Sequence, residues 1–216
     1  MNNAPTLRID IVSDVMCPWC IIGYLQLARA LQQTGTAAEI HWHPFELNPD
    51  MPPEGQNLRE HVAEKYGATA AQSEASRRQM AALGADLGFA FRFGEDSRIW
   101  NSFAAHQLLH WANLQGRQHD LKMAMFRAHF TQGRNMADAQ VLADIAGEIG
   151  LDRDEARAVL RDGRFAEEVR AHEAFWLKQG IRGVPSMVFD RQYLVTGAQG
   201  VENYADILRQ IAARGA

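Results

Sequence analysis

Ser13-Asp-Val-Met-Cys-Pro-Trp-Cys-Ile-Ile-Gly23 is the stretch on which the fold turns. Before it, Leu7-Arg-Ile-Asp-Ile-Val-Ser13 alternates apolar and polar residues and then becomes mostly apolar, the pattern of a strand running into a core. After it, Ile21, Leu25, Ala28 and Leu31 recur at helical spacing until Gly35 ends the pattern. Cys17 and Cys20 therefore stand where a strand hands over to a helix. Pro18, with its fixed φ and missing donor, suits the first helical position. That register makes Cys17 the N-cap and Cys20 the third helical residue. The helix N-terminus then favours a thiolate at Cys17, which predicts a depressed pKa there. The i, i+3 spacing puts both thiols on one helix face, as a disulfide requires. Position assigns Cys17 as an exposed attacking thiol and Cys20, a turn deeper, as the resolving thiol.

These are the only two cysteines in 216 residues, so a disulfide scaffold and a Cys-rich zinc module are excluded. Two cysteines placed at random fall three apart in only about 1% of cases, so the spacing itself points to chemistry. With 22 basic and 26 acidic residues, the net charge of -4 lacks the positive excess that a phosphate backbone needs, which excludes nucleic acid as a main ligand. The longest uncharged run, Val15 to Ala28, has 14 residues, short of the roughly 20 of a membrane span. Met1 to Arg8 shows no basic start, apolar middle and small-residue cleavage site, so the expected compartment is the cytoplasm. There a Cys pair is more often catalytic or metal-binding than structural.

Glu39-Ile-His-Trp-His43 reads as a second strand stopped by Pro44, and Leu47 to Gly55 as a loop dense in turn residues. From Gln56 to about Gln179 the pattern is almost wholly helical, broken at Gly116, Gly133 and Gly150, with Phe165, Val169, His172 and Trp176 on one face of the last long helix. Pro185-Ser-Met-Val-Phe189 and Tyr193-Leu-Val-Thr196 read as a hairpin around Asp190-Arg-Gln192, and Val201 to Arg214 as an amphipathic helix. A strand-helix-strand unit implies a parallel pair, and the hairpin can extend the same sheet. The expected class is α/β, with residues 1–56 and 163–216 forming one discontinuous domain and 57–162 an all-helical insertion.

Gly183-Val184-Pro185-Ser186 precedes a predicted strand. An ordinary trans X-Pro turn is the commoner case. A cis Val184–Pro185 bond would instead hold a bare backbone edge beside Cys17, able to pair with an extended peptide, and the Cys pair elsewhere in the chain tips the balance that way. The Cys pair could also be half of a zinc site completed by His41 and His43, or by His106 and His110. Pro18 and Trp19 suit a flexible zinc knuckle poorly, and the expected metal content is none.

Four segments then carry a resemblance: the opening stretch, Trp42-His-Pro-Phe-Glu-Leu-Asn-Pro49, Asn101-Ser-Phe-Ala-Ala-His106, and Gly183-Val-Pro-Ser-Met-Val-Phe189 with Gly197-Ala-Gln199. Together they resemble the DsbA-like branch of the thioredoxin superfamily, and within it the FrnE-type cytoplasmic oxidoreductases. The resemblance implies a thioredoxin fold with a large helical insertion, Cys17 as nucleophile, Cys20 as its redox partner and Pro185 as a cis proline. Pro18, Trp19, Val184 and Pro185 are the implied substrate-binding positions. Substrates would be protein or small-molecule thiols and disulfides. No resident cofactor is implied, though glutathione can serve as redox co-substrate. The chain would act as a monomer or homodimer, off the membrane.

Departures from the family pattern bear on mechanism. Strongly oxidising DsbA proteins carry a His inside the Cys pair where this chain has Trp19, which predicts a milder couple, nearer a reductase or isomerase. The buried acid that thioredoxin-like proteins often place six residues before the first Cys is Ile11 here; Asp14 is a substitute or simply a turn cap. Some FrnE-type proteins carry a second Cys pair in a C-terminal extension, which this sequence lacks. The same branch holds glutathione-dependent isomerases and transferases acting on 2-hydroxychromene carboxylates, which put Ser at the helix start; a glutathione-using enzyme on a small aromatic molecule is the alternative. Trp100, Phe103 and Phe130 are candidates for a groove facing Cys17, with core packing as the default.

Overall fold

The structure is a computed structural model describing residues 6–215; most of the Met1 to Arg8 segment read above for a signal lies outside the described residues. Strand β1 (Leu7–Ser13) leads into α1 (Pro18–Thr34), and β2 (Ala38–Pro44) returns parallel to β1. Gly35 ends α1 in the left-handed region, φ 64°, where glycine carries no Cβ penalty. At the other end of the chain β5 (Ser186–Phe189), β6 (Tyr193–Thr196) and α9 (Val201–Gly215) complete the domain. The sheet order is β2-β1-β5-β6, with β5 antiparallel to β1 and β6 antiparallel to β5. Asp190 and Arg191 both have positive φ, the handedness that matches a hairpin turn to the twist of its strands. This is the expected α/β thioredoxin arrangement.

Between β2 and β5 lie β3 (Gln56–Asn57), α2 (Leu58–Tyr66), α3 (Ala70–Asp86), β4 (Arg98–Ile99), α4 (Phe103–Asn113), α5 (Gln118–Phe130), α6 (Ala139–Glu148), α7 (Arg153–Asp162) and α8 (Ala166–Lys178). The block is less uniformly helical than its sequence pattern suggests. Residues 88–102 are extended or irregular, and β3 pairs with β4. Phe89, Phe91 and Phe93 alternate at strand period and pack through Phe91 against Phe130, while Arg92 donates its amide to the Phe130 carbonyl at 2.9 Å. Aromatic burial along that segment outweighs helix propensity.

Two apolar cores meet at the Cys pair. One, formed by the sheet, α1 and α9, contains Cys17, Cys20, Ile9, Ile11 and Met187, together with Phe126 and Phe130 from α5. The other, among the inserted helices, contains Val15 and Met16 from the turn before Cys17. Each core thus takes side chains from the other's segment. Polar contacts reinforce the seam: Gln118 accepts from the Trp42 amide at 3.2 Å and donates to the Trp42 carbonyl at 3.1 Å. His119 Nδ1 accepts the Trp42 indole N–H at 3.2 Å. α5 is thereby held against β2, and Phe126 and Phe130 of the same helix join the core that contains Cys17 and Cys20.

Candidate active site

Cys17 is the N-cap of α1, with φ −95° and ψ 111°, and Pro18 occupies the first turn, in the register expected from the sequence. The turn is pinned by Asp14. Its carboxylate accepts the Met16 amide at 3.0 Å and the Leu47 amide at 2.7 Å, and its carbonyl accepts the Cys17 amide at 3.2 Å. Asp14 is completely buried, with His106 Nε2 3.7 Å away. Burial pushes its carboxyl upward, but His106 and the two amides outweigh this and hold it below the ordinary carboxylate value. Asp14 is therefore a turn cap and a buried anion at once.

The Val184–Pro185 bond is cis. Cys17 Sγ donates to the Val184 carbonyl at 3.8 Å, so the fold brings together residues 167 positions apart. The Pro185 carbonyl accepts the Gly197 amide at 2.7 Å and Ser186 Oγ donates to the Gly183 carbonyl at 2.8 Å. Gly23 lets this loop approach α1, since a Cβ there would stand 3.2 Å from Pro185 Cγ. Trp19 is partly buried against the sheet core.

One expectation needs correction. Cys17 is not an exposed thiol: it is only 4% accessible, and Cys20 is fully buried. The two sulfurs are coupled and titrate as a pair. The hydrogen bond shared with Cys20, burial and the charge of Asp14 push Cys17 up, against the Cys20 amide. Burial pushes Cys20 up as well, while its contact with Cys17 and the charge of Lys122 draw it down.

Lys122 is what the sequence reading missed. It comes from α5, is 1% exposed, and its Nζ lies 3.5 Å from the Ser13 carbonyl and over the rings of Trp42 and Phe126, at 5.4 and 5.0 Å. Burial pulls it down to about 8 against the charges of Cys20, Asp14 and Cys17. A signal existed: Lys122 lies four residues before Phe126 and on the same apolar face as Met125 and His129. Tyr66, 61% exposed at the end of α2, also escaped notice; besides its burial, the charges of Cys17 and Asp14 raise its phenol.

The other candidates are taken up elsewhere. Phe103 lies under the Arg170 guanidinium at 3.8 Å, Trp100 beside Arg98 at 5.3 Å, and Phe130 among Phe91 and Phe126. His41, His43, His106 and His110 line a cavity of about 70 Å³ on the side of Lys122. Among the described residues there is no group of three or more His, Cys, Asp or Glu side chains arranged to hold a metal ion. No helix among them is long and apolar enough to cross a membrane.

Comparison with known proteins accords with this geometry. The DSBA-like thioredoxin domain matches the chain over residues 8–209. The probable DsbA oxidoreductase SCO1869 from Streptomyces coelicolor superposes with a TM-score of 0.88 at 36% identity, covering 94% of this chain and 89% of that one. The cytosolic disulfide reductase DsbM from Pseudomonas aeruginosa, solved with GSH, shares the fold at a TM-score of 0.63 and 20% identity, covering 94% and 98%. So does a 2-hydroxychromene-2-carboxylate isomerase, at 0.67 and 14%, covering 96% and 95%.

Proposed function

The chain belongs to the DSBA-like thioredoxin domain family, and from that premise we propose that it is a thiol–disulfide oxidoreductase in which Cys17 attacks and Cys20 resolves. The observation that carries the reading is the placement of a dithiol at a helix N-terminus with Cys17 Sγ against the Val184 carbonyl. Cys17, as thiolate, forms a mixed disulfide with the substrate; Cys20 then displaces the substrate sulfur and closes the Cys17–Cys20 bond. Pro18, Trp19, Val184 and Pro185 form the surface on which the substrate lies, its backbone or its glutathione γ-glutamyl-cysteinyl chain running along the Val184 edge. Trp19 in place of a cationic neighbour supports the reductase or isomerase direction, the one a reducing cytoplasm sustains. Protein disulfides and glutathione-linked small thiols are the substrate classes, glutathione serving as co-substrate and not as a resident cofactor, with the chain working as a monomer or homodimer.

Cys20→Ser tests this. The variant accumulates a covalent mixed disulfide on Cys17 when offered reduced, unfolded protein with oxidised glutathione, and loses catalysed disulfide exchange. The alternative, a glutathione-dependent isomerase acting on a small aromatic molecule, draws support from the fold shared with the isomerase and with the GSH-bound reductase. Under that alternative, Cys20→Ser keeps its turnover.

A further inference from the structure

The two faces of the four-stranded sheet are covered unequally. Ile9, Ile11, Met187 and Phe189 point into the core shared with α1 and α9. Their neighbours along each strand point the other way, and the register aligns Asp10, Val188 and Leu194 as one row across β1, β5 and β6. On that second face α8 packs at β2, where the Trp176 ring lies 4.7 Å from that of His43. Beyond it a cavity of about 540 Å³ opens over the row, within the roughly 300–1,000 Å³ usual for small-molecule sites. Phe175 from α8 and Leu194 from β6 line it while still 52% and 51% exposed, so large apolar groups stand open to water there.

The polar part of the wall is held in place from below. Asp10, only 2% exposed, accepts from Arg8 Nε at 2.9 Å and Nη2 at 2.6 Å, and from His43 Nε2 at 2.7 Å. Burial pushes its carboxyl up, but the bonds from His43 and Arg8 outweigh this and keep it ionised. Asp10 thus grips one edge of the Arg8 guanidinium and leaves the other N–H donors of that fork unspent. Arg191 adds a second guanidinium to the lining from the hairpin turn, at φ 57°, with no ion pair among the described residues. Among the described residues lining the cavity Asp10 is the only carboxylate, and its oxygens are already engaged. Two guanidiniums therefore border an apolar groove with one acid between them.

We propose that this cavity is a second binding site, apart from the dithiol, and that its ligand is a small aromatic carboxylate. Its ring lies between Trp176 and the Val188–Leu194 row, and its carboxylate faces Arg8 and Arg191. Planar guanidiniums match a carboxylate in geometry as well as charge. A cationic ligand meets two like charges here, and a wholly apolar one leaves Arg191 without a counterion. The site is distinct from the catalytic one because α1, which bears both cysteines, packs on the opposite face of the sheet.

The test titrates 2-naphthoate into the full chain by calorimetry, with 2-naphthamide as an uncharged control of the same shape. The acid binds saturably, one per chain, and at least about tenfold more tightly than the amide. Its affinity is the same in a Cys17→Ser/Cys20→Ser double variant. NMR shows methyl shifts at Ile181, Val188 and Leu194 and none at Ile21 or Ile22 of α1. Arg191→Gly, which the positive φ accommodates, weakens the acid about tenfold and leaves the amide unchanged. Leu194→Glu, at a half-exposed position, abolishes binding of the acid. Equal binding of acid and amide, an affinity untouched by both variants, binding lost in the double cysteine variant, or shifts confined to α1 each overturn the proposal. If 2-naphthoate does not bind and Leu194→Glu dissociates a dimer seen by sedimentation, the face belongs to a second copy of the chain and the proposal falls. None of these readouts uses disulfide exchange, so they leave the dithiol reading to its own test.

Discussion

Replacing Trp19 by His makes the couple more oxidising. Position 19 is the second residue of α1, one residue beyond Pro18, and the sulfur of Cys17 has no side-chain cap hydrogen bond at this helix end. Among the described residues its polar contact outside the pair is the Val184 carbonyl, an acceptor, which favours the thiol over the thiolate. An imidazolium at position 19 adds a second donor beside the Cys20 amide and a positive charge directly at this helix end. A hydrogen bond to a charged group contributes about 1.5–3 kcal/mol. Stabilising the Cys17 thiolate stabilises the reduced protein, so the potential rises, and at about 1.4 kcal/mol per 30 mV the gain is roughly 30–60 mV. The same free energy lowers the Cys17 pKa by about one to two units. The assay equilibrates each protein with graded reduced and oxidised glutathione, quenches with a mass-adding alkylating reagent and reads the oxidised fraction. Alkylation rate against pH reports the thiol directly. A potential unchanged within error, or one that falls, refutes the argument that the absence of a cation at position 19 sets the mildness of this pair.

Glu46 provides a stability test. Burial, and then the neighbouring Glu173, push it up to about 7, so the native state holds a proton that the unfolded chain releases near 4.5. Its stabilising contribution, opposed in part by Arg170, is full below that pH and is lost as pH rises through 7; urea unfolding between about pH 4 and 8 shows stability falling with pH in the unmodified protein and a flatter profile in Glu46→Gln. Phe126→Ala removes a fully buried ring packed against Trp42 and Lys122, and chemical denaturation records a loss of about 3–5 kcal/mol. Gly23→Ala gains about 1 kcal/mol of helix propensity but forces a Cβ to 3.2 Å from Pro185 Cγ; thermal melting shifts little while catalysed disulfide exchange drops, and an unchanged rate shows that the Pro185 ring tolerates displacement.

The strands of the four-stranded sheet, α1 and the Cys17 register were legible because each is signalled locally: alternation in Leu7–Ser13, Pro18 after a cysteine, Gly35 after an apolar stripe. The loop around Pro185 was legible only in combination with the Cys pair. Residues 88–102 were misread because the alternation of Phe89, Phe91 and Phe93 is short and sits between strong helices. Lys122 was invisible for a different reason. A lysine in a helix reads as solvated surface, and what buries it is the docking of α5 against Trp42, more than 100 positions from Cys17. The pull on Cys20 was likewise beyond reach, because the charge of that same lysine contributes to it. Exposure of Cys17 was overestimated since the Val184 carbonyl covers it only in three dimensions.

The two borders of the four-stranded sheet are unequal. At β2, Gln118 occupies both the amide and the carbonyl of Trp42, imitating a neighbouring strand with a side-chain amide. A foreign strand seeking to extend the sheet there must first unseat α5 from the middle of the register. At β6 the border ends in a short run that carries Leu194, half exposed, beside Tyr193. Edge-to-edge association, whether with a second copy or in an early aggregate, is therefore directed to β6, and a lysine or proline in place of Leu194 is the substitution that guards it.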